Sequence, residues 1–229
     1  MAIKQGPIEL RVKEVRPEDS GALSAFFYRP ANFEFEAGDW MDLAFADRNL
    51  RGGITYSISS SPTEIDIRIT FRQGFSDSKK ALQGLVAGEI VSILQYGNDY
   101  DFSLDRNRSS VLIAGGIGIA PLRSMIKELY DTQGRDEISL IYLSQQDTFL
   151  FKDELDKWSD KLPNLTVHYI QTRTINRKQR ESIIKSLLPD LDQHFYIAGP
   201  KGMVEANEHL LIDMGVKLKN IRIDSFRGY

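Results

Sequence analysis

The chain has 229 residues, a formal net charge of -3, 41% hydrophobic and 27% charged residues, and no cysteine. The length suits two domains of about 100 to 150 residues, and the composition is that of an ordinary globular protein with no basic excess to meet a nucleic acid backbone. The absence of cysteine excludes disulfides, thiolate zinc sites, thiol nucleophiles and cysteine-ligated iron–sulfur clusters, so any electron chemistry needs another cofactor.

The opening MAIKQGPIEL lacks the apolar core of a signal peptide, and no window approaches the roughly 18 apolar residues of a membrane span. The expected location is cytoplasmic, either as a separate protein or as the cytoplasmic domain of a longer membrane protein. Short alternating segments follow, IELRVKEV, ALSAFFYRP, DWMDLAF, ITYSISS, EIDIRITF and EIVSIL, parted by turn-forming Gly, Pro, Asp and Asn. Six strands at that spacing predict a small antiparallel barrel. One helix interrupts them over residues 78 to 86, with Asp77 or Ser78 as cap, Leu82, Leu85 and Val86 on one face, and Gly88 as its stop.

A polar connector, Ser103 to Ser110, marks a change of texture. Beyond it VLIAGG, ISLIYLS, LTVHYIQT, HFYIAGP and IRIDSF read as strands, alternating with helical PLRSMIKELYDT, KDELDKWSDKL, ESIIKSLL and GMVEANEHLLIDMG. The alternation predicts a parallel sheet covered by helices on both faces, joined by right-handed crossovers. The fold class is therefore two domains, an antiparallel Greek-key β-barrel followed by an α/β domain with a parallel sheet.

The strongest local signal is VLIAGGIGIAPLRSMIKEL, where Gly115, Gly116 and Gly118 lie between a buried strand and a helix starting near Pro121. Glycine lets a backbone approach a pyrophosphate closely. Proline suits a first helical turn, and the helix dipole favours an anion in front of it. The alternative is a tight turn with close helix packing. Pro121 occupies the place of the third glycine in the usual dinucleotide fingerprint, which points away from an ordinary single-cofactor dehydrogenase.

Taken in order, the motifs resemble those of the ferredoxin:NADP reductase superfamily, without an iron–sulfur domain. GGIGIAP resembles its nicotinamide-dinucleotide loop, and FYIAGPKGMVEA, with Gly199 and Pro200, its Cys-Gly-Pro segment. TYSISSSP, with Tyr56, Ser57 and Ile58, resembles its Arg-x-Tyr-Ser flavin motif, and FEAGDWMDL its Pro-Gly-Gln strand entry. RQGFSDSKKAL, with Arg72, Gly74 and Ser78, resembles its flavin-phosphate segment, with Lys79 and Lys80 as charge partners. IDSFRGY resembles its carboxylate-x-aromatic ending, with Asp224 as the carboxylate and Phe226 and Tyr229 as ring covers.

The resemblance implies a flavin-binding barrel over residues 1–104 and an NAD(P)-binding domain over 105–229. It implies hydride transfer from NADPH or NADH to the N5 atom of FAD, with FMN the alternative flavin. Tyr56 would pack along the isoalloxazine, the Ser57 hydroxyl would approach N5, and Ser57, Asp224 and Tyr229 would form the catalytic set. The electrons would pass on to a flavodoxin, a ferredoxin or a ferric chelate.

Two positions depart from the pattern. Ile54 stands where the flavin motif has arginine, with Arg51 and Arg72 as substitutes for the phosphate contact, and Ala198 replaces the cysteine before Gly199. Asp147 is the carboxylate nearest the strand ending at Ser144, whereas Arg173, Arg177, Lys178 and Arg180 form a basic cluster suited to a 2′-phosphate, a slight preference for NADPH. His168, His194 and His209 lack a metal-binding spacing, and no metal is expected. One rival reading is a non-catalytic flavin-binding electron-transfer subunit that needs a partner protein. A second is a dinucleotide-binding domain beside an unrelated, flavin-free barrel.

Overall fold

The structure is a computed structural model that describes residues 3–45, 50, 55–99, 101–106, 108–188 and 190–226. It resolves into two compact units. One comprises residues 1–103 together with 120–131, and the other residues 104–119 with 132–229.

The first unit is built on six antiparallel strands: β1 (Lys4–Pro17), β2 (Ala22–Tyr28), β3 (Trp40–Ala44), β4 (Thr55–Ser57), β5 (Asp66–Arg72) and β6 (Ile90–Gly97). Their order in the sheet is β4-β3-β6-β1-β2-β5, a Greek-key arrangement. The two ends of that sheet meet through one isolated bridge, Ile58 to Ile69, so the barrel is nearly closed. Alternation along each strand sends Leu10, Val12, Ala25, Phe27, Met41, Leu43, Ile67 and Ile69 into one core. The 14-residue β1 bends at a register shift between Val12 and Glu14, which lets it pair with β2 and β6 in turn.

Helix α1 (Asp77–Gln83) is shorter than the sequence suggests and starts one residue earlier. Ser76 is its N-cap, with the Ser76 side chain accepting the Lys79 amide, a bond worth about 1 kcal/mol. The helix ends at Gly84, so Leu85 reaches the core from the following turn while Val86 is 64% exposed. The apolar spacing of Leu82, Leu85 and Val86 had suggested one continuous helical face. The Ser76 cap and the C-terminal turn at Gly84 override it.

The second unit holds five parallel strands: β7 (Ser110–Gly115), β8 (Ile138–Ser144), β9 (Leu165–Gln171), β10 (His194–Pro200) and β11 (Ile221–Phe226). The chain runs outward from β7 through β8 to β9, then returns to the other side of β7, giving the order β11-β10-β7-β8-β9. Helices α3 (Lys152–Ser159), α4 (Arg177–Ser186) and α5 (Lys201–Asp213) alternate with the strands, and α2 (Ile119–Thr132), which follows β7 in the chain, belongs to the first unit over residues 120–131. Every residue of β7 is buried, as a central strand covered on both faces requires. Val111, Ile113, Ile141, Phe195, Ile197, Val204 and Leu211 belong to one continuous core. The carboxyl ends of β7 and β10 form the point where strand order reverses, the place where open α/β sheets bind ligands.

Candidate functional site

In the second unit the glycine turn sits at that reversal. β7 ends in Gly115, residues Gly116–Gly118 make one 3-10 turn, and α2 follows at once with Pro121 in its first turn. Gly116 has φ +53°, a left-handed value that favours glycine, and its carbonyl accepts the Tyr142 hydroxyl at 3.0 Å. On the neighbouring strand Ala198 is fully buried, and Gly199 turns the chain with φ +150° before Pro200 opens α5.

The two turns interlock. A side chain on Gly118 would collide with the Ala198 carbonyl and would stand 2.6 Å from the Gly199 Cα. The Met203 side chain fills the space beside both Gly115 and Gly199. Asn207, one helical turn on, holds Met203 by donating to its carbonyl at 2.7 Å and to its sulfur at 3.0 Å. Internal packing alone therefore requires a glycine at 118. The region still fits a diphosphate, since the start of α2 presents the donor end of a 14-residue helix and the turn GGIGIAP carries no carboxylate.

Asp224 and Phe226 lie on β11 in register with Ala198 and Pro200, and both are half-buried. Arg173 follows the carboxyl end of β9, two strands from β7, or about 10 Å at ordinary strand spacing, and is exposed. Of its basic neighbours, Arg177 is already held by Glu181 at 2.6 Å along α4, whose start is fixed by a capping box of Asn176 and Gln179. Asp147 is exposed in the loop after β8.

In the first unit β4 carries Tyr56 and Ser57. The Tyr56 ring packs edge-on against Phe71 at a centroid distance of 6.2 Å. Burial raises its hydroxyl above the usual tyrosine range, and the Ser78 side chain acts in the opposite direction. Ser57 is nearly buried, and the Ile58 side chain is fully buried in the barrel core, with its amide donated to the Asp39 carbonyl at 2.8 Å. Gly74 lies beneath Lys79, and its carbonyl accepts the Gln83 side chain at 2.8 Å. Arg72 is drawn elsewhere, to the Ser20 carbonyl at 2.8 Å. Tyr229, Arg51 and Ile54 lie outside the described residues.

Sequence reasoning passed over Arg123 and Ser124 on α2, whose side chains bind the segment that follows β4. It also passed over Met203 and Asn207. A charged residue beside Leu122, Met125 and Ile126 was the available signal for Arg123, because a cation amid fully buried apolar neighbours needs a partner. Among the described residues no group of three or more His, Asp or Glu could hold a metal, and no helix is long and apolar enough to cross a membrane.

A six-stranded antiparallel barrel and a parallel-sheet unit whose glycine turn lies at a sheet reversal define the fold class. Residues 112–209 match the oxidoreductase NAD-binding domain family. The chain is 25% identical to flavohemoprotein A of Dictyostelium discoideum over 91% of its own length and 58% of that protein. It is 28% identical to the sulfhydrogenase 2 subunit gamma of Pyrococcus furiosus over 81% of its own length and 69% of that protein. The fold superposes on the ferredoxin-NADP+ reductase of Plasmodium falciparum with a TM-score of 0.77, at 16% identity and covering 96% of each chain. The fold is thus that of this ferredoxin-NADP+ reductase, and within it residues 112–209 match the NAD-binding family.

Proposed function

We propose that this chain is a flavin-dependent NAD(P)H oxidoreductase that passes electrons on to a separate acceptor, a flavodoxin, a ferredoxin or a ferric chelate. The observation that carries the reading is the interlocked pair of turns, Gly115–Gly118 and Ala198–Pro200, at the reversal point of the parallel sheet, in a segment that matches an NAD-binding family. The barrel adds Tyr56, packed edge-on against Phe71, in a segment that resembles a flavin motif.

When bound, the nicotinamide and the flavin supply the redox chemistry, a hydride leaving C4 of one and arriving at N5 of the other. The chain's own residues bind and orient. The start of α2 neutralises the dinucleotide diphosphate, and Gly199 and Pro200 offer backbone to the nicotinamide end. Tyr56 lies along the flavin ring, Ser57 presents its hydroxyl to N5, and Ser78 with Lys79 and Lys80 holds flavin phosphate. Asp224, Phe226 and Tyr229 complete the coenzyme side. Arg173 meets a 2′-phosphate, which favours NADPH. FAD is the expected flavin and FMN the alternative, with residues 1–104 as the flavin domain and 105–229 as the coenzyme domain.

The test is an absorbance spectrum of protein reconstituted with FAD or FMN, followed without oxygen after adding NADH or NADPH. Bleaching of a bound-flavin band supports the reading, and protein that stays colourless refutes it. A second reading, an electron-transfer subunit with little turnover alone, is favoured by Ala198 in the cysteine position and by likeness to a protein named as a subunit. Bound flavin that does not bleach without a partner would support this second reading.

A further inference from the structure

The strand that carries Tyr56 and Ser57 stands at one end of the sheet order. Over Thr55–Ser57 it pairs with β3 on one side. On its other side the barrel closes through the single Ile58–Ile69 bridge. Beyond Ile58 the backbone of residues 59 to 61 is held by the Arg68 carbonyl of β5 and by side chains.

Those partners sit on two elements of the first unit, β5 and the part of α2 that belongs to it. From below, the Arg68 carbonyl accepts the Ser59 amide at 2.8 Å and the Ser60 amide at 3.2 Å. The Arg68 guanidinium is anchored in turn by Ser24 at 2.9 Å and Glu18 at 2.7 Å, and Thr70 joins Ser24 to Ser59 through hydrogen bonds of 2.8 and 2.9 Å. From above, α2 closes the segment. Arg123 donates from Nη1 to the Ser59 carbonyl at 2.9 Å and to Glu64 Oε2 at 2.5 Å, and from Nη2 to Glu64 Oε1 at 3.1 Å. Ser124 donates to the Ser60 carbonyl at 2.6 Å. Glu64 Oε2 also accepts the Ser61 amide at 2.7 Å, which closes a ring of bonds around residues 59 to 64.

Arg123 is 3% exposed, and its fork engages one backbone carbonyl and both oxygens of one carboxylate. Such planar bidentate geometry fixes direction as well as distance, which a lysine cannot reproduce. We propose that Arg123, with Glu64, is a positioning residue that sets the placement of the Tyr56–Ser57 strand by clamping the segment that follows it. The proposal rests on the reading of Tyr56 and Ser57 as flavin-facing groups. The Arg123 fork binds Ser59 and Glu64, and its effect passes through Ser59 and Ile58 to Ser57, two residues from the clamped carbonyl.

The consequence is selective. A misplacement of about 1 Å at a reacting group costs up to about a hundredfold in rate, while binding spread over many contacts changes little. The experiment reconstitutes the full chain with FAD and compares wild type with Arg123→Ala, Arg123→Lys, Glu64→Gln and Ser124→Ala by rapid mixing with NADPH. Rates are taken per bound flavin at saturating coenzyme. The expected result is at least about a tenfold slower reduction in Arg123→Ala. Arg123→Lys should fall between it and wild type, and the NADPH concentration giving half-maximal rate should move less than about twofold. Glu64→Gln should behave like Arg123→Lys, which keeps the test decisive if Arg123→Ala does not fold. Equal rates per bound flavin in wild type and all folded variants would overturn the clamp alone. Wild type that takes up no flavin would overturn both the clamp and the functional reading beneath it.

Discussion

Gly118→Ala isolates the interlocking of the two turns in the second unit. The added methyl would meet not a flexible side chain but the Ala198 carbonyl group and the Gly199 Cα, so relief requires moving the end of β10 or the start of α2. Overpacking of this kind costs about 1 to 3 kcal/mol where side chains can yield. With backbone on both sides the expected loss is at the upper end, about 3 kcal/mol. For a chain of this size that is a fall of about 6 to 12 °C in Tm. Gly202→Ala is the matched control: it lies in α5 with nothing near its added carbon, and should gain about 0.5 to 1 kcal/mol from helix propensity. Thermal unfolding followed by circular dichroism, with no ligand present, reads both. A Gly118→Ala protein as stable as Gly202→Ala would refute the packing account and return position 118 to a purely ligand-facing role.

Three further outcomes are expected. His194 is held below its ordinary value of 6.5, first by burial and then by the neighbouring Arg108. The unfolded chain therefore binds its proton more readily, so the stability contribution is complete above about pH 6.5 and declines as pH falls below it. His194→Gln should flatten that part of a urea-midpoint profile, and an unchanged slope would count against the assignment. Arg68→Ala leaves Glu18 without its nearest cation and strips Ser24 of a donor, and should cost about 3 kcal/mol in a denaturant titration, whereas a loss below 1 kcal/mol would show the network to be slack. Ser57→Ala should slow flavin bleaching by NAD(P)H more than it lowers flavin content, and equal bleaching rates per bound flavin would remove Ser57 from the chemistry.

The architecture was legible because periodicity is a local property. Alternation over segments such as EIDIRITF and the apolar run VLIAGG announce the barrel and the parallel sheet without knowledge of their partners. The ends of α1 were less legible, since the spacing of Leu82, Leu85 and Val86 extends one face while the Ser76 cap and Gly84 set the true limits. The glycine turn was read correctly as a turn, but one reason for its glycines lies 80 residues away at Ala198, which no local pattern contains. The partnership of Arg123 with Glu64 spans 59 positions. Its local trace is a cation set among the buried apolar Leu122, Met125 and Ile126.

Met203 ties three positions into one unit of variation. Its side chain supplies the bulk that Gly115 and Gly199 lack, and Asn207 keeps it in place. A change at one of these sites is felt at the others. A methyl gained at 115 has to be matched by a shorter or redirected side chain at 203, and a smaller residue at 203 leaves a hole that two glycines cannot fill. A change at 115 is therefore felt first at Met203, whose flexible end has to turn away from the sheet's reversal point.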